Sequence, residues 1–136
     1  MNTLHRCGEA AFVAVCSLDR PPPELAAVAL SSDETALARA AGSRRREREI
    51  DVTRRMLRHG LDRCLGEPGA PLAWSGRGPE YDSGGERPGL SVAHAREFAA
   101  AAVSRGGAVG VDVEGADRVR PWQRIAKTVL CDADRD

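Results

Sequence analysis

The segment Gly89–Glu114 constrains the fold of this chain more than any other. It holds two apolar, strand-like stretches, with His94 before the first and the carboxylates of Asp112 and Glu114 at the end of the second. Side chains two positions apart on a strand project from the same face, so the two carboxylates are expected side by side. The sequence therefore predicts two strands of one sheet that end in an acidic pair.

Such an acidic pair indicates a metal site. Two neighbouring carboxylates repel each other unless a cation lies between them, and Mg²⁺ is typically held by one or two carboxylates together with water and substrate phosphates. The alternative is an exposed acidic strand end, because alternating acidic residues are common on solvated strand faces. The residue pattern alone leaves both interpretations open.

The first half of the chain predicts one strand followed by helices. Ala10–Leu18 is apolar and β-branched, and the prolines that follow it end a strand. Leu30–Glu34 supplies capping residues for a helix that continues through an alanine-rich stretch to Ala41. Apolar residues then recur at helical spacing over Arg44–Leu65, and Gly66 is expected to end this second helix.

The second half predicts mostly loop and then strand. The segment Gly66–Gly89 is rich in glycine and proline, which is typical of a loop. The alanine run that follows has helical propensity, but its position before a turn favours a strand over Phe98–Val103. The combined pattern predicts one α+β unit, with a small antiparallel sheet packed on the Arg44–Leu65 helix.

Composition excludes several classes of protein. The 136 residues suit one domain, and 42% hydrophobic residues are enough for a core. Twenty cationic residues balance twenty acidic ones, so a strongly basic nucleic-acid surface is not expected. The four cysteines lack the C-x-x-C spacing of a zinc site, and no apolar run approaches a membrane span. We therefore expect a cytoplasmic protein with reduced thiols.

Two short motifs carry a family resemblance. Residues 91–94, Ser-Val-Ala-His, and residues 110–114, Gly-Val-Asp-Val-Glu, resemble the signature of the 4′-phosphopantetheinyl transferases of the larger, surfactin-synthetase-activating type. The similarity extends upstream through Leu30–Ala40 and through Arg54–Gly66, which resembles the family's R-x-x-L-R helix. It also extends downstream over Arg118–Asp136.

The resemblance implies a fold and a division of the chain. Larger members of this family consist of two similar α/β halves related by pseudo-twofold symmetry, each a small antiparallel sheet packed on helices, with coenzyme A bound between them. Residues 1–117 would form the first half. Residues 118–136 would begin the second half, which is truncated here.

The resemblance also implies an activity with named residues. It predicts transfer of the phosphopantetheine arm of coenzyme A to a serine of an acyl or peptidyl carrier protein, with no nucleic-acid or membrane partner. Asp112 and Glu114 would hold Mg²⁺, and His94 would contact the nucleotide phosphates. Basic residues of coenzyme A binding are expected at Arg46 and Arg54, which would meet the 3′-phosphate, and at Arg77, which lies in a Gly-Arg-Gly-Pro match to the family's G-[KR]-P loop.

Each of these assignments has a simpler alternative. A run of arginines on a helix, such as the one containing Arg46, is usually a solvated face. A lone histidine such as His94 is often only hydrogen-bonded at the start of a strand. Without the motif around them, these residues would not indicate a phosphate site.

The chain departs from the family pattern at three places. Ala93 replaces the serine that usually precedes the histidine, and Ser91 stands where asparagine is frequent. The second acidic motif, an aromatic residue followed by x-x-K-E, is missing, so the third metal ligand is unassigned. A fragment, a split or decayed gene product, and a homo-oligomer whose copies complete one another's cleft all fit this pattern. The function of another class is a catalytically incomplete module that binds a carrier or partner protein.

Overall fold

The computed structural model describes residues 3–7, 11–75, 78–81 and 87–115, with the backbone alone described for residues 3–7. Arg77 and the segment 118–136 lie outside these ranges, so the predictions made for them stay predictions. The described elements, in chain order, are β1 (Thr3–Cys7), β2 (Ala11–Ser17), α1 (Pro23–Ala26), α2 (Ser32–Arg39), α3 (Arg44–Leu65), β3 (Leu72–Ser75), β4 (Gly78–Tyr81), β5 (Gly89–Ala95) and β6 (Phe98–Ser104).

The strands form one antiparallel sheet and one separate ribbon. The four-stranded sheet has the order β1-β2-β6-β5, and β3 pairs with β4 in a two-stranded ribbon. A two-residue turn joins β5 to β6, and in it Arg96 takes the left-handed φ of 46°. This turn sets His94 opposite Ala99. The small antiparallel sheet packed against helices confirms the predicted α+β class.

Strand β6 is an inner strand of the sheet, and four of its seven residues are alanine. Its residues from Ala99 to Val103 are buried. Alanine is a strong helix former, but pairing with a strand on each side outweighs that propensity. The predicted strand Phe98–Val103 is therefore confirmed, and its small side chains leave room for a helix to approach closely.

The helix that fills this room is α3, as the sequence predicts. Its first turn is capped by Ser43, whose Oγ accepts a hydrogen bond from the N–H of Arg46 at 3.2 Å. Gly66 ends it with the left-handed φ of 69° that favours glycine. Its apolar side chains face the sheet and form most of the core with the even-numbered side chains of β2. The largest of these helix side chains that are fully buried are Met56, Leu57 and Leu61.

The closest approach of helix to sheet is at Gly60. A Cβ at this position would lie 2.7 Å from a ring carbon of Phe12 and 2.7 Å from a methyl carbon of Val103. Real side chains do not tolerate such distances, and neither neighbour can withdraw from the centre of the core. The missing side chain therefore sets how deeply α3 lies on the sheet.

We predict that Gly60→Ala destabilises the protein. Removing a glycine from a helix normally stabilises by about 1 kcal/mol, but overpacking a tight core costs about 1–3 kcal/mol. The expected net effect is a lower free energy of unfolding, measured by chemical denaturation followed by circular dichroism. A more stable variant would contradict the close packing described here.

Helix α2 is fixed to α3 by the buried carboxylate of Glu34. Its Oε2 accepts hydrogen bonds from the N–H of Ser31 at 2.9 Å and from Nε of Arg58 at 2.8 Å. Ser31 accepts in turn from the N–H of Glu34, which completes a capping box. Arg58 also donates to the carbonyl oxygens of Pro68 and Ala70. One ion pair thus joins two helices and the loop after α3.

We predict that Glu34→Gln lowers the free energy of unfolding by about 3 kcal/mol, because it leaves Arg58 charged and buried without its partner. The neighbouring Asp33→Asn removes the same charge from an exposed position and should cost less than about 1 kcal/mol. Thermal denaturation of the two variants side by side makes the comparison. Equal losses would show that the buried pair contributes no more than helix-end electrostatics.

Four segments differ from the sequence prediction. The region predicted as loop over Gly66–Gly89 contains the ribbon β3–β4, and β1 and β5 were not predicted. The residues Gly110–Glu114 do not form a strand of the sheet. Strands of four to seven residues with few β-branched or aromatic side chains carry little local signal, whereas the turn residues around them are conspicuous.

The sequence also led to expectations about the cysteines and about membrane-spanning segments. Cys16 and Cys64 are both buried, and burial raises the pKa of the Cys16 thiol to about 11. Among the described residues, none of the helices has the length and apolar character needed to cross a bilayer.

Candidate functional site

A cleft of about 490 Å³ opens between α2, α3, β3 and β5. It brings together three of the residues selected from the sequence, namely Arg46, Arg54 and His94. The two arginines come from α3, and the histidine comes from β5, on the same face of the strand as Leu90 and Val92, which pack against the core. The sheet and its covering helix therefore turn these side chains toward one another.

Arg46 and His94 are in direct contact across this cleft. Nη1 of Arg46 lies 3.2 Å from Nε2 of His94, although the residues are 48 positions apart in the chain. The same Nη1 donates to Oε2 of Glu49 at 3.1 Å. Both Arg46 and His94 are about half exposed, at 52% and 40% of their side-chain surface. They can therefore be reached by a ligand from solvent.

Arg54 lies deeper in the cleft, with only 4% of its surface exposed. Its guanidinium carbon stands 4.0 Å from the centre of the Trp74 ring, in cation–π geometry. Among the described residues, its Nε has no hydrogen-bond partner and no carboxylate lies within ion-pair distance. Burial lowers the pKa of Arg54 from its usual range; the charge of Glu34 opposes this, while those of Arg46 and Arg58 add to it.

A buried arginine without a carboxylate partner is costly, because its charge has lost most of its water. Arg54 is such a group, and it lines the same cleft as Arg46 and His94. Guanidinium groups recognise phosphate and carboxylate through paired N–H donors. The arrangement can therefore bind an anion, and Trp74 offers an apolar surface next to it.

The two predicted metal ligands are carried by the segment that follows β6. Gly107 forms a parallel bridge with Pro88, and the N–H of Val111 donates to Oγ of Ser91 at 3.1 Å. Later residues of this segment thus lie beside later residues of β5, so the segment runs along the edge of β5 in the same direction. Gly89 permits the approach, because a Cβ there would overlap the carbonyl oxygen of Gly107.

Asp112 and Glu114 follow on this segment and are both exposed. Oδ1 of Asp112 accepts a hydrogen bond from the N–H of Val113 at 2.9 Å. Neither carboxylate lines the cleft that contains His94. Within the described ranges, no group of three histidine, cysteine or acidic side chains could hold a metal ion. The pair supplies two hard oxygen ligands of the kind that Mg²⁺ takes, with its other positions open to water or phosphate.

Sequence reasoning missed three residues of this site. Glu49 was hidden within the arginine run, although its spacing of three and four from Arg46 and Arg45 is that of helical ion pairs. Trp74 stood in a stretch predicted as loop. Ser91 was noted as part of the Ser-Val-Ala-His motif and as a departure from the frequent asparagine, but its contact was not predicted: its hydroxyl accepts a hydrogen bond from the backbone of the acidic segment.

Comparison with known proteins adds no relative, since no family model, no curated protein and no solved structure matches this chain.

We predict that Arg54→Met weakens ligand binding without lowering the free energy of unfolding. Methionine keeps an apolar chain of similar length and removes a buried charge that has no close carboxylate, so the free energy of unfolding should stay equal or rise. Affinity for a phosphate-bearing ligand, with coenzyme A as the probe, should fall by about tenfold or more, because a charge-assisted hydrogen bond is lost.

Calorimetric titration and chemical denaturation of the same preparations measure the two effects. Arg39→Met, an exposed arginine on α2, serves as the matched control and should change neither. A variant that is strongly destabilised and binds as well as the wild type would assign Arg54 to the core rather than to a site.

Proposed function

We propose that this chain is a 4′-phosphopantetheinyl transferase, which moves the phosphopantetheine arm of coenzyme A to a serine of an acyl or peptidyl carrier protein. The observation that carries the proposal is the convergence of Arg46, Arg54 and His94 on one cleft. These residues were selected from separate motifs, and their side chains need not have met in a fold of another kind.

The cationic side chains of the cleft suit the phosphates of coenzyme A. Arg46 and His94 lie at the exposed side of the cleft. Arg54 lies deeper, and its Nε has no hydrogen-bond partner among the described residues. The cleft therefore offers N–H donors to a phosphate group. Among the described residues, no ion pair of Arg54 with a carboxylate has to be broken first. Their charges would hold the nucleotide end of the substrate, which fixes the orientation of the reacting pyrophosphate.

Asp112 and Glu114 are the residues that would hold Mg²⁺ on the neighbouring segment. The ion, when bound, supplies neutralisation of pyrophosphate charge. The chain's own contribution is to hold the two carboxylates at the edge of β5 through the Ser91 hydroxyl and the close approach at Gly89. These contacts hold the acidic segment beside β5, the strand that carries His94.

In the proposed reaction, the carrier serine oxygen forms a bond to the phosphorus that bears the pantetheine arm. The bond from this phosphorus to the oxygen of the adenosine half breaks, and adenosine 3′,5′-bisphosphate leaves. Phosphoryl transfer of this kind depends mainly on positioning and electrostatic stabilisation. Arg46, Arg54 and His94 would hold the leaving nucleotide and favour its departure.

We predict that a purified carrier protein gains about 340 Da when it is incubated with this chain, coenzyme A and Mg²⁺, as expected for an arm joined through a phosphodiester to serine. Intact-protein mass spectrometry measures the gain. Asp112→Asn should abolish it, while the exposed Asp33→Asn should not. A known transferase that modifies the same carrier provides the positive control.

Absence of any mass gain, with the positive control active, would reject the transferase function for this chain. If coenzyme A or the carrier still bound under those conditions, the chain would be the incomplete binding module that the missing K-E motif suggests. If the mass gain is observed instead, sedimentation of the active preparation should show an oligomer when two copies share a cleft.

A further inference from the structure

The carboxylate of Glu49 occupies an unusual position for a group next to a proposed phosphate site. Only 6% of its residue surface is exposed, and both oxygens are used. Oε1 accepts from Nε of Arg45 at 3.0 Å, and Oε2 accepts from Nη1 of Arg46 at 3.1 Å. Burial raises the pKa of Glu49, but the hydrogen bonds from Arg46 and Arg45 outweigh it and the pKa is lowered overall. Glu49 is therefore a fixed negative charge inside a cationic cleft.

The contact between Arg46 and His94 determines where the proton of the imidazole lies. A guanidinium nitrogen can only donate, so Nε2 of His94, at 3.2 Å from Nη1, accepts. A neutral imidazole that accepts at Nε2 carries its hydrogen on Nδ1. Nδ1 lies 3.9 Å from Oε1 of Glu49, which is too long for a hydrogen bond but close enough for a favourable electrostatic interaction. Glu49 thus favours the Nδ1–H tautomer of His94 in two ways: it holds the Arg46 donor at Nε2, and its own charge lies near Nδ1.

We propose that Glu49 is a positioning residue, which holds one side of the Arg46 guanidinium against His94 and leaves the other side free to bind a phosphate group of the ligand. Nη1 is the only guanidinium nitrogen of Arg46 with a hydrogen bond among the described residues. Nε and Nη2 form the paired donor edge that matches two phosphate oxygens. Holding this edge in place before the ligand arrives reduces the entropy lost on binding.

A purely structural role for Glu49 is the competing explanation. Ion pairs at spacings of three and four stabilise the first turns of a helix, but exposed pairs of this type contribute only about 0.3–0.5 kcal/mol. That role would affect the stability of α3 and nothing else. The tautomer of His94 and the affinity for phosphate distinguish the two explanations.

The first test reads the tautomer directly and needs no ligand. In protein labelled with ¹⁵N-histidine, NMR at about pH 8.5, where an ordinary imidazole is neutral, should show His94 with hydrogen on Nδ1. Glu49→Gln should move it toward the Nε2–H form, because the amide holds Arg46 less firmly. Glu47→Gln, an exposed change of the same charge on the same helix, should leave the tautomer as in the wild type. A wild-type His94 in the Nε2–H form would overturn the proposal.

The second test measures affinity and rests on the proposed function, with coenzyme A as the probe. Glu49→Gln should weaken its binding by about tenfold while Glu47→Gln leaves it unchanged, and Glu49→Asp should restore part of the loss. Equal affinity of Glu49→Gln and wild type would overturn the positioning role. If wild-type protein binds no coenzyme A, the proposed function fails, whereas the tautomer experiment still decides the role of Glu49.

Discussion

The contact of α3 with the alanine-rich strand β6 is the constraint on which the rest of the structure depends. Gly60 faces Phe12 and Val103 without a side chain of its own, so helix and sheet approach more closely than larger residues would permit. Van der Waals attraction falls steeply with separation. The close approach therefore lets the small alanine side chains of β6 make attractive contacts with α3. A strand of small residues needs such a close helix for the core beside it to be densely packed.

The same helix carries most of the buried charge that the structure describes. Glu49, Arg54 and Arg58 are all on α3, and each is at most 6% exposed. Their environments differ in kind. Arg58 is satisfied by Glu34 and two carbonyl oxygens, which is the pattern of a structural ion pair. Arg54 lies against an aromatic ring, and no carboxylate of the described residues is within ion-pair distance of it, so its charge is less compensated than that of Arg58.

Much of the fold was predictable because its signals are local. The capping residues before α2, the helical spacing along α3 and the glycine after it are all read from neighbouring positions. The ribbon β3–β4 and strand β5 were missed although they pair with neighbours in the chain, because their short segments hold few β-branched or aromatic residues. The convergence of Arg46 and His94 could be expected only from a resemblance, since no property of either residue specifies the other. Glu49 escaped notice because its importance comes from contacts on both sides of the cleft.

The rigidity of α3 also fixes the spacing of the two arginines that it contributes to the cleft. Arg46 and Arg54 are eight residues apart on one unbroken helix, which corresponds to about 12 Å along its axis. Loops can adjust the spacing of ligand-binding groups by small changes in backbone angles, but an α-helix cannot do so without breaking hydrogen bonds. Since α3 is also packed into the core at Gly60, the backbone positions of the two arginines keep a fixed separation. The cleft would therefore select among anions by the distance between their charges as much as by the number of charges.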